Sequence, residues 1–453
     1  MEEHRTRTMP HASGETEESV PPGSTSTRNR GFTALTAVAR VSNLGIPAMV
    51  AVYAAAAAFG CVLALQSQAR FVDLHVYRLG GHAVLHGELL YNVRFAGTLR
   101  FTYPPFAAIV FTPVAALPWT LVAALVLLAG VVALPVTLYL ALRLPPASSW
   151  LDRRAALRLS LAAAAVANWL EPVRTTLSYG QINLLIALLV LYDLCRTRAS
   201  WLHGAGIGLA AGIKLTPAIF AVYLLATRRY RAAAVACIVF AGTVALGFAV
   251  TPASSAQYWD KTFLTTSDVG RIQNVANQSL LGALARTLHA VNIQPLWLPA
   301  AMMIGLAGML LAVRAGRAGD EARGFSLCAV TGLLISPISW SHHWVIAVPA
   351  LLLAAVATWR RRSAALPGAA LPGAAAGRAN AMLAAIAGLT VICMARVVRH
   401  VPAGGSGQNA WLHLNAFRQL TGDIYVLAGL AALAVAAWPV IRPRLSVRPG
   451  AGD

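Results

Sequence analysis

An all-α polytopic membrane protein is the fold class this sequence predicts, and three observations lead there. Of 453 residues, 58% are apolar and only 11% charged, against about a quarter charged in soluble globular domains. The apolar residues arrive in runs of roughly 15–25, the length that crosses ~30 Å of hydrocarbon at 1.5 Å per residue. Mean hydropathy is +0.64. Lipid offers backbone groups no hydrogen-bond partner, so the spans must be helical.

A formal charge of +20 raises the question of nucleic acid. The arginines answer it by their placement: they sit in short runs between apolar segments, as the positive-inside rule requires. No nucleic-acid partner is implied. The five cysteines (Cys61, Cys195, Cys237, Cys328 and Cys393) lie in apolar runs and read as small buried hydrophobes.

Residues 1–38 are rich in Ser, Thr, Pro, Gly and Glu and read as a disordered cytoplasmic tail. They are not a cleavable signal, because the first apolar segment lies far from Met1 and is too long. A transmembrane domain at 39–442 follows, then a cytoplasmic tail at 443–453. The candidate spans are 42–66, 119–143, 156–171, 181–195, 202–213, 215–227, 232–251, 297–313, 323–338, 344–359, 380–396 and 421–441, about twelve of uneven length. They do not divide into matching halves.

An N-terminus inside the cell puts 24 of the 36 basic residues on inner segments. That two-to-one bias sets the orientation. The outer side then carries the long segments 67–118, 252–296 and 397–420. Function sits on the loops a scaffold holds up. An enzyme working there needs a substrate delivered through the lipid, since nucleoside triphosphates and nucleotide sugars are absent.

Asp73 lies directly after the first span, among Phe71, Val72 and Leu74. Partial desolvation there raises a carboxylate towards the basicity a general base needs. The competing reading is a helix cap, or an ion pair with Arg70 or Arg78. His75, His82 and His86 share a helix face and invite a metal, but Gly80-Gly81 interrupts that helix and no carboxylate completes a set. A polar interfacial face is preferred, with no metal and no cofactor implied.

Tyr103-Pro104-Pro105-Phe106 cannot lie inside a passing helix. It opens either a re-entrant element or a rigid turn. Glu171 and Arg174 flank a tight outer turn as a local ion pair. Gln181 and Asn183 begin an apolar helix in which amides need partners, whether substrate or another helix. Asp193, near Arg196, reads as structural.

Lys214 sits between two short apolar segments, where a charge is costly. It suits a lipid phosphate, or it snorkels to headgroups. In the long outer loop, Asp268, Arg271 and Asn277-Gln278-Ser279 offer groups for phosphate or sugar hydroxyls. In Ser336-Pro337-Ile338-Ser339-Trp340-Ser341-His342-His343-Trp344, two histidines between tryptophans combine titratable groups with stacking rings. A plain aromatic belt is the alternative.

Together, Phe71-Val72-Asp73-Leu74-His75-Val76-Tyr77, the 101–111 stretch, Glu171-Pro172, Tyr179-Gly180-Gln181-Ile182-Asn183, the 208–217 stretch, Asn277-Gln278-Ser279 and the 336–344 stretch resemble glycosyltransferase family 87. Within it they are most like the actinobacterial phosphatidylinositol-mannoside mannosyltransferases. The resemblance covers about residues 40–440. It implies a glycosyltransferase C superfamily fold, about twelve transmembrane helices and extracytoplasmic loop helices.

The implied reaction is transfer of mannose from polyprenyl-phosphate-mannose to a glycolipid or glycan acceptor. It takes place on the outer face of a bacterial plasma membrane and forms an α-(1→2) link with inversion. The family's essential aspartate falls on Asp73, and its Trp-x-His segment falls on Trp340-Ser341-His342, which favours His342 over His343. Lys214, Arg271, His343, Tyr103, Glu171, Gln181, Asn183, Asn277, Gln278 and Trp340 are the candidates for holding substrate. The rivals are the same fold with another lipid-linked sugar, such as arabinose, and a secondary transporter. The lack of repeated halves and the elaborate outer loops speak against the transporter.

Overall fold

The structure, a computed structural model, describes residues 44–67, 70–95, 99–196, 200–264, 270–363, 373–402 and 410–441. The tails expected at 1–38 and 443–453, and Asp268, lie outside them. Helix α1 (Ile46–Leu65) is followed by α2 (Val72–His86), a two-stranded ribbon pairing Arg94–Phe95 with Leu99–Arg100, and the short helices α3 (Pro105–Val110) and α4 (Thr112–Ala116). Then come α5 (Trp119–Arg143), α6 (Arg153–Ala167), α7 (Glu171–Tyr179) and α8 (Asn183–Leu194). Next are α9 (Ala205–Ile213), α10 (Ala218–Ala226), α11 (Tyr230–Val250), α12 (Pro252–Asp260) and α13 (Leu280–Thr287). The rest is α14 (Gln294–Arg317), α15 (Glu321–Ile335), a 3-10 turn at Ser341–Ala347, α16 (Val348–Ser363), α17 (Gly373–Met394), α18 (Ala416–Gly422) and α19 (Ile424–Ile441).

The expected count of about twelve spans is not confirmed. Among the described residues, six helices are long and apolar enough to cross a membrane, or up to eight if two bent pairs each count as one span. The shortfall has a physical cause. Helices α9 and α10 have nine residues each, about 14 Å at 1.5 Å per residue. They stop where Lys214-Leu215-Thr216-Pro217 breaks the ladder. At 15 residues, α6 and α15 reach about 22 Å, short of ~30 Å of hydrocarbon.

Gly80-Gly81 does not interrupt its helix either; α2 runs unbroken through both. The glycines are there for proximity. A Cβ on Gly80 would fall 2.5 Å from the Phe101 ring, and one on Gly81 would collide with the Phe111 carbonyl. The hairpin of α3 and α4 is thereby pressed against α2. The double proline opens α3 with Pro105 at its first position, where a missing N–H costs nothing.

The pair α7 and α8 is bent by 115°. Gly180, in the left-handed region at φ 67°, makes the bend. A side chain there would meet Leu74 Cβ at 2.8 Å and Phe71 at 3.2 Å. Phe71 N–H donates to the Ser178 carbonyl at 2.6 Å. The tip of the bend therefore seats on the first turn of α2 and brings Gln181 beside Asp73.

Candidate active site

Asp73 lies in the first turn of α2, whose N-cap is Phe71 with no side-chain cap bond. It is not a cap. Among the described residues, no ion pair joins it to Arg70 or Arg78. Arg70 reaches the Leu65 carbonyl at 3.4 Å, and Arg78 lies 5.8 Å over the Trp119 ring. One carboxylate oxygen, Oδ2, is buried with no hydrogen-bond partner. Burial raises this carboxyl from the ordinary 3.8 to about 6, against the opposing pull of the Gln181 amide and the Lys214 charge. An unpartnered, partly basic oxygen is what a proton acceptor requires.

Around it the bend of α7–α8 supplies amides. Gln181 Oε1 receives the Tyr77 hydroxyl at 2.7 Å, and its nitrogen lies 3.3 Å from His342 Nε2. The Tyr77 and Tyr103 hydroxyls are 3.1 Å apart. Tyr77 stacks on Phe111, with ring centroids 4.3 Å apart. Asn183, two residues on, accepts from Lys214 Nζ at 2.9 Å.

Lys214 occupies the break between α9 and α10 and completes a second cluster. Its Nζ lies 3.0 Å from His343 Nε2 and 5.7 Å from the Tyr103 ring centroid. Burial lowers this ammonium to about 7, while Asp73 pulls it back up. A cavity of about 50 Å³ opens here, lined by Lys214, Asn183, His343 and Ser339 together with the apolar Phe220, Ile219, Leu333 and Ile346. A cation in a mostly apolar lining suits an anionic group carried on an apolar molecule.

The 3-10 turn carrying His342 and His343 is positioned by antiparallel pairing of Trp340 with Asn277. Gln278 N–H donates to the Ser339 carbonyl at 2.7 Å, and Ser341 N–H to the Ala276 carbonyl at 2.8 Å. The His342 and His343 rings meet edge to face at 4.8 Å.

Of the residues singled out from sequence, Asp73, Tyr103, Gln181, Asn183, Lys214, His342 and His343 come together. Others take different places. The amides of Asn277 and Gln278 are engaged with backbone: Asn277 with Ile272, Pro337 and Ser339, Gln278 with Val275, Gly422 and Tyr425. Glu171 does not pair with Arg174. Its carboxylate is buried and accepts from Thr175 and Ser341 at 2.8 Å and from Tyr425 at 3.0 Å. Arg271 is exposed in its loop. Trp340 packs close to Gly270. Asp193 accepts from the Gly204 and Ile207 N–H groups.

Tyr77 was missed as a site residue. It stands in the Asp73 motif one helical turn on, a spacing that shares a face. Among the described residues, no group of three His, Cys, Asp or Glu is placed to hold a metal ion.

The sequence profile of glycosyltransferase family 87 matches residues 101–337. A protein of Mycobacterium tuberculosis is 34% identical over 385 residues, covering 82% of this chain and 85% of its own. The chain belongs to family 87. It is a membrane glycosyltransferase. The M. tuberculosis relative is named polyprenol-phosphate-mannose-dependent alpha-(1-2)-phosphatidylinositol mannoside mannosyltransferase. A Mycolicibacterium smegmatis relative, named for the corresponding pentamannoside activity, is 40% identical over 294 residues, 63% of this chain and 69% of its own.

Among solved structures, that of apo ArnT from Cupriavidus metallidurans covers 85% of this chain and 77% of its own. It shares 16% identity at a TM-score of 0.37, a likeness too loose to carry residue roles across. The family 87 profile takes in Tyr103, Gln181, Asn183 and Lys214; Asp73 and His342 lie outside it and join them through the fold.

Proposed function

We propose that this family 87 enzyme moves mannose from polyprenyl-phosphate-mannose to a phosphatidylinositol mannoside on the outer face of the plasma membrane. The fold is read as that of the glycosyltransferase C superfamily. The observation that carries the proposal is the unpartnered Asp73 Oδ2, set among amides and hydroxyls that fit a sugar and within electrostatic reach of Lys214. The relatives' names supply donor and acceptor.

The reaction is an in-line displacement. The acceptor 2-hydroxyl attacks the anomeric carbon and gives its proton to Asp73 as the new C–O bond forms. The bond from that carbon to the phosphate oxygen breaks, and the electron pair leaves with the polyprenyl phosphate. Lys214, steadied by Asn183 and His343, faces the growing negative charge. Inversion to an α link requires a β-linked mannosyl phosphate. His342 holds the Gln181 amide, and through it the carboxylate.

Proteoliposomes charged with radiolabelled polyprenyl-phosphate-mannose and a phosphatidylinositol mannoside test the assignment. Labelled product sensitive to α-1,2-mannosidase is the expected result. Label in the acceptor from polyprenyl-phosphate-arabinose but not from the mannose donor would overturn the sugar. Near-normal turnover by Asp73→Asn would overturn the base.

A further inference from the structure

Three arginines that the proposed chemistry does not use gather beside the site. Arg174 lies on α7, and Arg396 and Arg399 lie on the turn that follows α17. Arg399 Nη1 donates to the Tyr179 hydroxyl at 3.1 Å and approaches Thr175 Oγ1 at 3.4 Å. Its guanidinium stands 5.6 Å over the Tyr179 ring. That ring meets His342 edge to face, with centroids 5.4 Å apart. One aromatic ring therefore separates Arg399 from the reacting cluster.

The charges are not neutralised from within. Arg396 faces Arg174, Arg399, Glu171 and Tyr179. The one carboxylate there, Glu171, has its oxygens taken by the hydroxyls of Thr175, Ser341 and Tyr425. Among the described residues, no ion pair links it to an arginine. Arg396 Nε is buried with no hydrogen-bond partner. Its backbone is left-handed at φ 54°, an uncommon state for a side-chain-bearing residue and a frequent one at functional sites. Arg174 and Arg396 are half-buried and Arg399 is exposed, so like charges stand together around an unpartnered donor on a face that an anion can reach.

Location narrows the anion. Residues Gly377–Met394 of α17 form a candidate span that lies almost wholly outside the protein interior, so lipid runs along it. Arg396 comes two residues after Met394, at headgroup depth, where arginines meet lipid phosphates. The planar fork of a guanidinium matches phosphate oxygens two at a time.

We propose that Arg174, Arg396 and Arg399 form a second anion site that holds the phosphodiester of the lipid acceptor while its terminal sugar reaches Asp73. This rests on the acceptor assigned above. It gives each lipid substrate its own cation: Lys214 for the donor phosphate, the arginines for the acceptor.

The test uses the full chain in proteoliposomes with two acceptors, a phosphatidylinositol mannoside and a dialkylglycerol mannoside lacking phosphate. Arg396→Gln and Arg399→Gln are expected to erode the KM preference for the phosphate-bearing acceptor by about tenfold or more. Arg399→Lys should restore part of it. An unchanged preference overturns the site, and a rise confined to the donor KM overturns the acceptor as its source. If wild-type protein labels neither acceptor, the proposed reaction has failed rather than the site. Native mass spectrometry with dioctanoyl phosphatidylinositol then decides the site alone: adducts on wild type that vanish in the arginine variants support it, and equal adducts overturn it.

Discussion

Tyr77 donates its hydroxyl to Gln181 Oε1 at 2.7 Å, and this bond decides which way the amide faces. With the oxygen held by Tyr77, the nitrogen is left for Asp73 and for His342. A flipped amide would turn an oxygen on the carboxylate instead.

Tyr77→Phe removes that constraint. The Gln181 contact lowers the Asp73 pKa, so losing it should move the acidic limb of the rate profile to higher pH. Turnover is expected to fall about fivefold to tenfold, the worth of one neutral hydrogen bond. A lower rate with an unmoved acidic limb would mean that the hydroxyl only packs.

Asp73→Asn should cost at least about 100-fold in transfer, the usual share of a general base. It should also stabilise the fold. The folded carboxyl titrates near 6 against an ordinary 3.8, so the ionised form is penalised by folding at neutral pH. That penalty is full above about 6 and disappears as both states protonate below the ordinary value. Melting curves should show the variant ahead of wild type near neutrality, with the gap closing in acid.

The free enzyme needs Asp73 ionised and Lys214 charged. The first condition holds above about 6 and the second below about 7. A bell-shaped kcat/KM profile with a narrow maximum between them is expected, its limbs belonging to the interacting pair. Lys214→Arg should abolish the alkaline limb. An alkaline limb that survives in this variant assigns it to another group.

Arg286 is fully buried and pairs with Asp423, its Nε lying 2.8 Å from Oδ1. It also donates to the carbonyls of Gln273, Asn274 and Asn277. Arg286→Met strands the carboxylate and should cost about 3–5 kcal/mol. Adding Asp423→Leu should recover much of that, read as a second rise in Tm.

The parts of this site legible in the sequence were those whose chemistry contradicts their surroundings. A carboxylate beside a span, a lysine between apolar segments and amides opening an apolar helix are each costly alone, and the fold brings Asp73, Lys214, Gln181 and Asn183 together. Tyr77 was hidden because a tyrosine in an apolar helix costs nothing unusual. Arg396 and Arg399 were hidden because arginines flanking spans are the rule, and Arg174 because it reads as the partner of Glu171. Asn277 and Gln278 misled for a related reason: an amide that braces backbone is the same residue as one that binds sugar. The span count is the part that the helix lengths leave unconfirmed, because hydropathy registers apolar length without registering breaks such as Lys214-Leu215-Thr216-Pro217.

The bend between α18 and α19 places Gly422, Asp423 and Tyr425 against residues far earlier in the chain. Gln278 bonds Gly422 and Tyr425, Arg286 holds Asp423, and Tyr425 reaches Glu171. Those contacts brace the loop whose pairing with Trp340 seats the two histidines. As the ribosome extends the chain, earlier spans enter the bilayer while this loop still lacks its fastening. A segment more than a hundred residues downstream thus holds the loop in place, so a chain cut before residue 425 is expected to lose the seating of the two histidines while keeping its earlier helices.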